Sequence, residues 1–397
     1  MQHPPPVFLI AGTRPEAVKL APVAVAMRAA GRLRAVIVAS GQHPTMVTQA
    51  LEAFDLTADV TLEIERHTGS QPELMNGLVG ALDQLFLHNR PAAVVVQGDT
   101  TTALAGALAA FWQRIPVVHL EAGLRSGDLD SPFPEEANRR LIAQVTNVHL
   151  APTALAAMNL LDEGIAADKV TVVGNTVVDA TLMVAAKRMP YEDERIAEAM
   201  ARDERLVLVT AHRRESWGEP LDRVLAAVRQ LIERYPDIHV VLPSHPNPAV
   251  RQQVDAGLAG VERVTVTDPV PYTSLSRLLS EAYLVLTDSG GIQEEAPSFG
   301  VPALVLRDVT ERVESLHAGC ARLVGTDTDL IIAEASRLLD DPAARDAMTA
   351  SGNPYGDGLA AGRTEQAVAA LLGLADRPEP MPPVGPTVNG ASLRTAV

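Results

Sequence analysis

Three acidic side chains stand where solubility does not account for them. Asp99 follows the apolar run Ala93–Val96 in Gln97-Gly98-Asp99-Thr100, and Glu121 directly ends Val117–Leu120. Glu135 enters a helix after the Pro-bounded stretch Ser131-Pro132-Phe133-Pro134. A carboxylate at the end of a buried strand is costly unless it is paired or used, and one such use is to remove and return a proton. Acids in a first helical turn also compensate the helix dipole. That plainer reading is preferred for Glu136, whereas catalysis is preferred for Asp99 and Glu121.

Two further stretches suit a phosphate. In Asp288-Ser289-Gly290-Gly291-Ile292-Gln293-Glu294-Glu295 the two glycines follow a buried strand and let an anion approach the backbone at a helix start. Glu295, one to two turns further, can accept both hydroxyls of a ribose. In Gly12-Thr13-Arg14-Pro15-Glu16 the glycine permits a tight turn, Pro opens the helix, and Arg14 and Lys19 add positive charge. An ordinary strand–helix turn with surface charges accounts for this second stretch equally well. His212 and His245 each follow a strand, where imidazole can donate to a phosphate or move a proton. His43, in Gly41-Gln42-His43-Pro44, is a further candidate to face the ligand, although a lone His is more often structural. The chain has no His-Glu-x-x-His, no paired cysteines and no acidic calcium loop, so no tightly held metal is expected. It also lacks Gly-x-Gly-x-x-Gly after a strand, a Walker loop and Gly-x-Ser-x-Gly, so no nicotinamide site or serine nucleophile is read and no cofactor is expected.

These residues are positioned by a repeated strand–turn–helix rhythm. Val7–Ala11, Ala35–Ala39, Ala93–Val96 and Val117–Leu120 read as strands of a first half, and Leu206–Thr210, Val240–Leu242, Leu284–Thr287 and Ala303–Leu306 as strands of a second. Such alternation predicts α/β units with parallel sheets. Ligands of open α/β sheets bind outside the strand C-termini, which is where the polar residues fall, so a cleft between the halves is expected. The boundary is placed near 174–188, giving an N-terminal domain over 1–174 and a C-terminal domain over 175–363. The stretch Thr364–Leu374 is expected to pack back on the first domain as a helix, and the Pro-rich 375–397 to be disordered.

Composition narrows the partners. A chain of 397 residues suits two domains, and 47% hydrophobic residues with 3% aromatics give cores of Val, Leu, Ile and Ala. The net charge of −16 argues against nucleic acid. Apolar runs fall far short of the roughly 18 residues of a membrane span, and Met1–Pro6 has no signal-peptide pattern. Cys320 is the sole cysteine, so no intrachain disulfide forms and a cytoplasmic setting is expected.

Taken in order over about 7–374, the stretches above, with Glu121-Ala122-Gly123-Leu124-Arg125, Pro134-Glu135-Glu136-Ala137-Asn138-Arg139, Gly174-Asn175-Thr176 and Asn353-Pro354-Tyr355-Gly356-Asp357-Gly358, resemble the non-hydrolysing UDP-N-acetylglucosamine 2-epimerases. The resemblance implies a GT-B fold of two Rossmann-like domains with the site between them. It implies interconversion of UDP-GlcNAc and UDP-ManNAc by elimination of UDP to a 2-acetamidoglucal and re-addition, in a homodimer. Carried onto this chain, it makes Asp99, Glu121 and Glu135 the working carboxylates, with His212 beside the leaving UDP. Arg14, Lys19, Ser289, Gly290, Gly291, Glu295 and Arg312 then bind substrate. Gln42, His43, Glu136, Arg213 (or Arg214) and His245 are left for a second, activating site. The chain departs from the family pattern at Val270 and Leu275, where relatives carry a polar residue and a uracil-contacting aromatic. It departs also at Val313, where they carry Pro, and over Arg66–Gln71, which aligns poorly with the second-site loop. Competing readings are a 2-epimerase of a related UDP-2-acetamido sugar, a GT-B glycosyltransferase and a catalytically silent sugar-nucleotide sensor.

Overall fold

Short runs of branched aliphatic residues, each closed by a polar turn, build two parallel sheets. In the computed structural model, which describes residues 3–383, the first sheet contains β1 (Pro6–Ala11), β2 (Arg34–Ala39), β3 (Val60–Thr61), β4 (Ala93–Gln97), β5 (Val117–Leu120), β6 (Val148–Ala151) and β7 (Val170–Val172). Its order is β3-β2-β1-β4-β5-β6-β7. The second sheet contains β8 (Arg205–Thr210), β9 (Ile238–Pro243), β10 (Val264–Thr267), β11 (Ala282–Thr287), β12 (Ala303–Val305) and β13 (Ala321–Leu323), in the order β10-β9-β8-β11-β12-β13. Strands buried on both faces need no alternation, and β4 and β5 are buried at every position.

The chain divides into two compact units. The first runs to Met183 and resumes over Tyr355–Pro382; the second is Val184–Pro354. In the first, Phe8, Ile10, Val38, Leu78, Leu82, Phe86 and Val96 belong to one apolar core. In the second, Val209, Leu225, Val228, Leu231, Val240 and Leu286 do the same. Each sheet has one place where the strand order reverses direction: between β1 and β4 in the first, between β8 and β11 in the second. Neighbouring loops there diverge to opposite faces and leave a crevice.

The helix Ala360–Leu371 packs on the helix Arg14–Ala30, and Arg32 forks onto Glu365 at 2.8 and 2.5 Å. Its N-terminus has no local cap. Instead Asp179, from the helix Thr176–Ala186, accepts the N–H groups of Ala361 at 2.8 Å and Ala360 at 3.3 Å. Disorder was expected from 375, but 375–382 is built onto the first unit. The Met381 N–H donates to Val172 O at 2.7 Å, taking up an acceptor on the otherwise open edge of β7. The Met381 side chain is buried over Gly174, where no Cβ stands in its way. The remainder of the predicted tail, 384–397, lies outside the described residues.

Burial pushes the Asp179 carboxyl from 3.8 up to about 6, against the pull of the Ala361 and Ala360 N–H groups. The native state therefore holds a proton that the unfolded chain has released, and stability from this group is lost as pH rises through that window. The urea-midpoint difference between the wild type and Asp179→Asn should accordingly shrink from pH 4 to pH 6; a constant difference would show that Asp179 does not titrate there.

Candidate functional site

In the first unit the site begins at the β1 turn. Gly12 is required by contact: a Cβ there would lie 2.1 Å from Thr102 Oγ1 and 2.6 Å from Ser40 Oγ. Glu16 is fully buried and accepts from Gly12 N at 2.9 Å, Thr13 N at 2.8 Å, Thr13 Oγ1 at 2.9 Å and Thr100 Oγ1 at 2.6 Å. The Thr13 bond is the backward half of a capping box. The Thr100 bond ties the β1 turn to the β4 turn across the point where strand order reverses. Burial pushes the Glu16 carboxyl up to about 7, opposed by these donors.

Glu121 follows β5 in a left-handed backbone conformation, φ 63°, which costs a non-glycine residue about 1–3 kcal/mol. Its buried carboxylate receives Lys19 Nζ on both oxygens, at 2.7 and 2.6 Å, with Gln97 Nε2 on one and Asn175 Nδ2 at 3.4 Å on the other. Lys19, expected to face a ligand, is thus engaged by Glu121, although an ammonium has three donors.

Asp99 stands one residue after Gly98, whose φ is 67°. Its carbonyl accepts Asn138 Nδ2 at 2.8 Å and its carboxylate pairs with Arg139. Burial raises the Asp99 carboxyl above its ordinary range; Arg139 opposes that shift and the nearby Glu121 charge adds to it. Glu135 is the first residue of the helix Glu135–Val145. The i, i+3, i+4 spacing puts it on the helix face that presents Asn138 and Arg139 to Asp99.

Glu136 points elsewhere. It is buried and takes the Ser126 N–H at 3.0 Å and Arg140 Nε at 2.8 Å, with Arg139 at 3.5 Å. Burial alone would raise its carboxyl, yet the Ser126 N–H and the two guanidiniums hold it below the usual range. Gln42 accepts Thr102 Oγ1 at 2.7 Å, His43 is exposed at the start of the helix Pro44–Glu52, and Arg14 is exposed.

In the second unit the organiser is Asp288, wholly buried after β11. One carboxylate oxygen accepts His212 N and Arg213 N at 2.9 Å each and Ser216 Oγ at 3.0 Å. The other lies 3.6 Å from His212 Nδ1. Ser289, Gly290 and Gly291 begin the short helix Gly290–Glu295, whose first N–H groups have no intrahelical acceptor. The Arg312 guanidinium lies over Gly290, its Cζ 3.4 Å from where a Cβ would be, and pairs with Glu294 at 2.7 Å. Glu295 is buried, with the Tyr272 hydroxyl 3.1 Å from one oxygen. His245 packs its ring on Trp217 and accepts the Asn247 N–H on Nδ1 at 3.1 Å.

The structure thus gathers Asp99, Glu121 and Lys19 in one unit and His212, Ser289–Gly291, Glu295 and Arg312 in the other. It adds Glu16, Gln97, Arg139, Asn175 and Asp288, whose holding roles the sequence reading missed. The Thr13-x-x-Glu16 spacing was a usable signal for Glu16; Gln97 and Asn175 carried none.

Removing Lys19 leaves a buried carboxylate without its cation, a loss of about 3–5 kcal/mol in comparable pairs. Lys19→Met should lower unfolding free energy by that order, and Lys19→Met with Glu121→Gln should recover much of it. Equal losses in the single and double variants would show the pair to be uncoupled.

Comparison with known proteins covers both units. The family model described as UDP-N-acetylglucosamine 2-epimerase matches residues 25–369. The UDP-N-acetylglucosamine 2-epimerase of Escherichia coli is 43% identical over 368 residues, 91% of this chain and 98% of that protein. The Bacillus subtilis protein of the same name is 40% identical over 359 residues, 90% and 93% of the two chains. The crystal structure of UDP-GlcNAc 2-epimerase from Neisseria meningitidis bound to UDP-GlcNAc is 40% identical, with a TM-score of 0.80, and covers 93% of this chain and 100% of that one. The GT-B fold expected from the motifs is the fold of this chain.

Proposed function

Since the chain belongs to the UDP-N-acetylglucosamine 2-epimerase family, we propose that it is an isomerase interconverting UDP-GlcNAc and UDP-ManNAc without net hydrolysis. The observation that carries the reading is the arrangement around Asp99 and Glu121. Two carboxylates face one sheet end, one raised by burial and the other held by Lys19. A protein that only held a nucleotide sugar would not need them.

The C2 proton of an N-acetylhexosamine is not acidic, so deprotonation cannot come first. If the anomeric C–O bond breaks with its electrons leaving on UDP, positive charge develops at C1 and acidifies C2–H. A carboxylate then takes that proton, and the C–H electrons form the C1=C2 bond of 2-acetamidoglucal. Protonation of C2 from the opposite face and return of the UDP oxygen to C1 complete the epimerisation. Carboxylates stabilise the electron-poor carbon, as in glycoside hydrolysis, and Asp99, Glu121 and Glu135 are proposed for this and for the two proton transfers. On the leaving side, His212, Arg14 and the helix-start N–H groups of Gly290 and Gly291, beside Ser289, offset the charge growing on UDP. Glu295 holds the ribose hydroxyls and Arg312 lines the same pocket.

A homodimer is part of the proposal. Leu87, Phe111, Trp112 and Leu141 are exposed on three helices, Gln71–His88, Thr101–Trp112 and Glu135–Val145, of which Thr101–Trp112 packs against both others. Apolar exposure of that kind marks association surfaces. Among the described residues no helix is long and apolar enough to cross a membrane. Of the residues expected at a second, activating site (Gln42, His43, Glu136, Arg213 and His245), Glu136 is already engaged by Ser126, Arg139 and Arg140.

Asp99→Asn, Glu121→Gln and Glu135→Gln should each lower kcat by about 100-fold or more, with UDP affinity within about threefold of wild type. Glu295→Gln should do the reverse, weakening UDP by about tenfold with a smaller effect on kcat. Wild-type turnover in all three carboxylate variants would remove the site assignment.

A further inference from the structure

We propose that His119 is a positioning residue for Asp99: its Nε2–H holds the Gly98 carbonyl and so fixes the peptide that aims the Asp99 carboxyl. The inference rests on the reading of Asp99 as a working carboxylate. His119 lies in β5, fully buried, with Nε2 2.7 Å from Gly98 O. A carbonyl only accepts, so this contact sets the tautomer: the proton is on Nε2 and the lone pair on Nδ1. Nδ1 has no hydrogen-bond partner among the described residues. The Gly98 carbonyl is thus the ring's single polar partner among them.

The bond falls at a point where backbone cannot hold itself. Gly98 adopts φ 67° at the end of β4, which turns its carbonyl out of the sheet ladder. Its N–H still reaches Leu120 O at 3.0 Å. One residue on, Asn138 Nδ2 holds the Asp99 carbonyl at 2.8 Å. The peptide groups on both sides of Asp99 are therefore each clamped by a side chain, His119 on the Gly98 carbonyl and Asn138 on the Asp99 carbonyl. His149, in register beside His119 on β6, offers neither ring nitrogen a partner and competes for neither. Burial, with Arg125 and Arg139 adding to it and the Gly98 carbonyl and Glu121 opposing, holds the His119 imidazole down to about 4. A neutral ring supplies the N–H without placing a second cation beside the Asp99–Arg139 pair.

The test compares His119→Phe, His119→Gln and Asp99→Asn by kcat, KM and UDP affinity of the folded proteins. Gln presents an amide N–H near the position of Nε2; Phe fills the space without a donor. His119→Phe should lose about tenfold or more in kcat with UDP affinity within about twofold of wild type, and His119→Gln should recover most of the loss. A merely structural residue would lower the folded yield but leave kcat per folded molecule unchanged. His119→Phe within twofold of wild type while Asp99→Asn is inactive overturns the positioning role alone. Normal turnover in Asp99→Asn overturns the reading it rests on. Where His119→Phe yields no folded protein, Asn138→Leu removes the adjoining clamp. Low kcat there at unchanged UDP affinity, with near-normal kcat in His119→Gln, supports the proposal; any other pattern of the two overturns it.

Discussion

The carboxylate of Glu121 draws Lys19, Gln97 and Asn175 to one point, and the first unit is organised by what that meeting requires. Lys19 comes from the helix after β1, Gln97 from the last position of β4, and Asn175 from the turn after β7. Glu121 itself is held in a left-handed conformation. A buried carboxylate without such partners would be expelled or protonated, and the strained backbone would relax with it. Strain that persists because the surroundings over-determine it is typical of sites that act on a ligand.

The same physical device appears at both places where strand order reverses. In the first unit the buried Glu16 accepts from Gly12, Thr13 and Thr100, joining the β1 and β4 turns. In the second the buried Asp288 accepts from His212, Arg213 and Ser216, joining the β8 and β11 turns. These are the two loops that diverge at each crevice. Each carboxylate makes a pair of otherwise independent loops move as one. His212 and the Gly290–Gly291 turn thereby share one anchor, and so do the Arg14 turn and the turn that carries Asp99.

What was legible in the sequence was whatever is carried by neighbours along the chain. Apolar runs ending in Gly98-Asp99, Glu121 and Asp288-Ser289-Gly290-Gly291 marked the strand ends, and parallel sheets followed from their alternation with helices. Contacts between distant positions were not legible. Asp179 caps a helix that begins at Ala360, and nothing in either stretch announces the other. Gln97 reads as the first residue of the turn after Ala93–Val96, whereas it ends β4, and its hold on Glu121 depends on register between β4 and β5. Pro-rich 375–383 reads as unstructured, because composition does not reveal the open edge of β7 that receives Met381. Glu136 was separable from Glu135 only by helix phase: one faces inward to Ser126 and Arg140, the other shares the face of Asn138 and Arg139.

The central claim is that these carboxylates move a proton at C2 of a UDP-N-acetylhexosamine. It is tested most directly by incubating the protein with UDP-GlcNAc in heavy water, without added metal or nicotinamide, and following C2 by NMR. The account predicts UDP-ManNAc carrying deuterium at C2, with deuterium also entering the recovered UDP-GlcNAc. Product that retains its original C2 hydrogen, or substrate that neither epimerises nor exchanges, would contradict it.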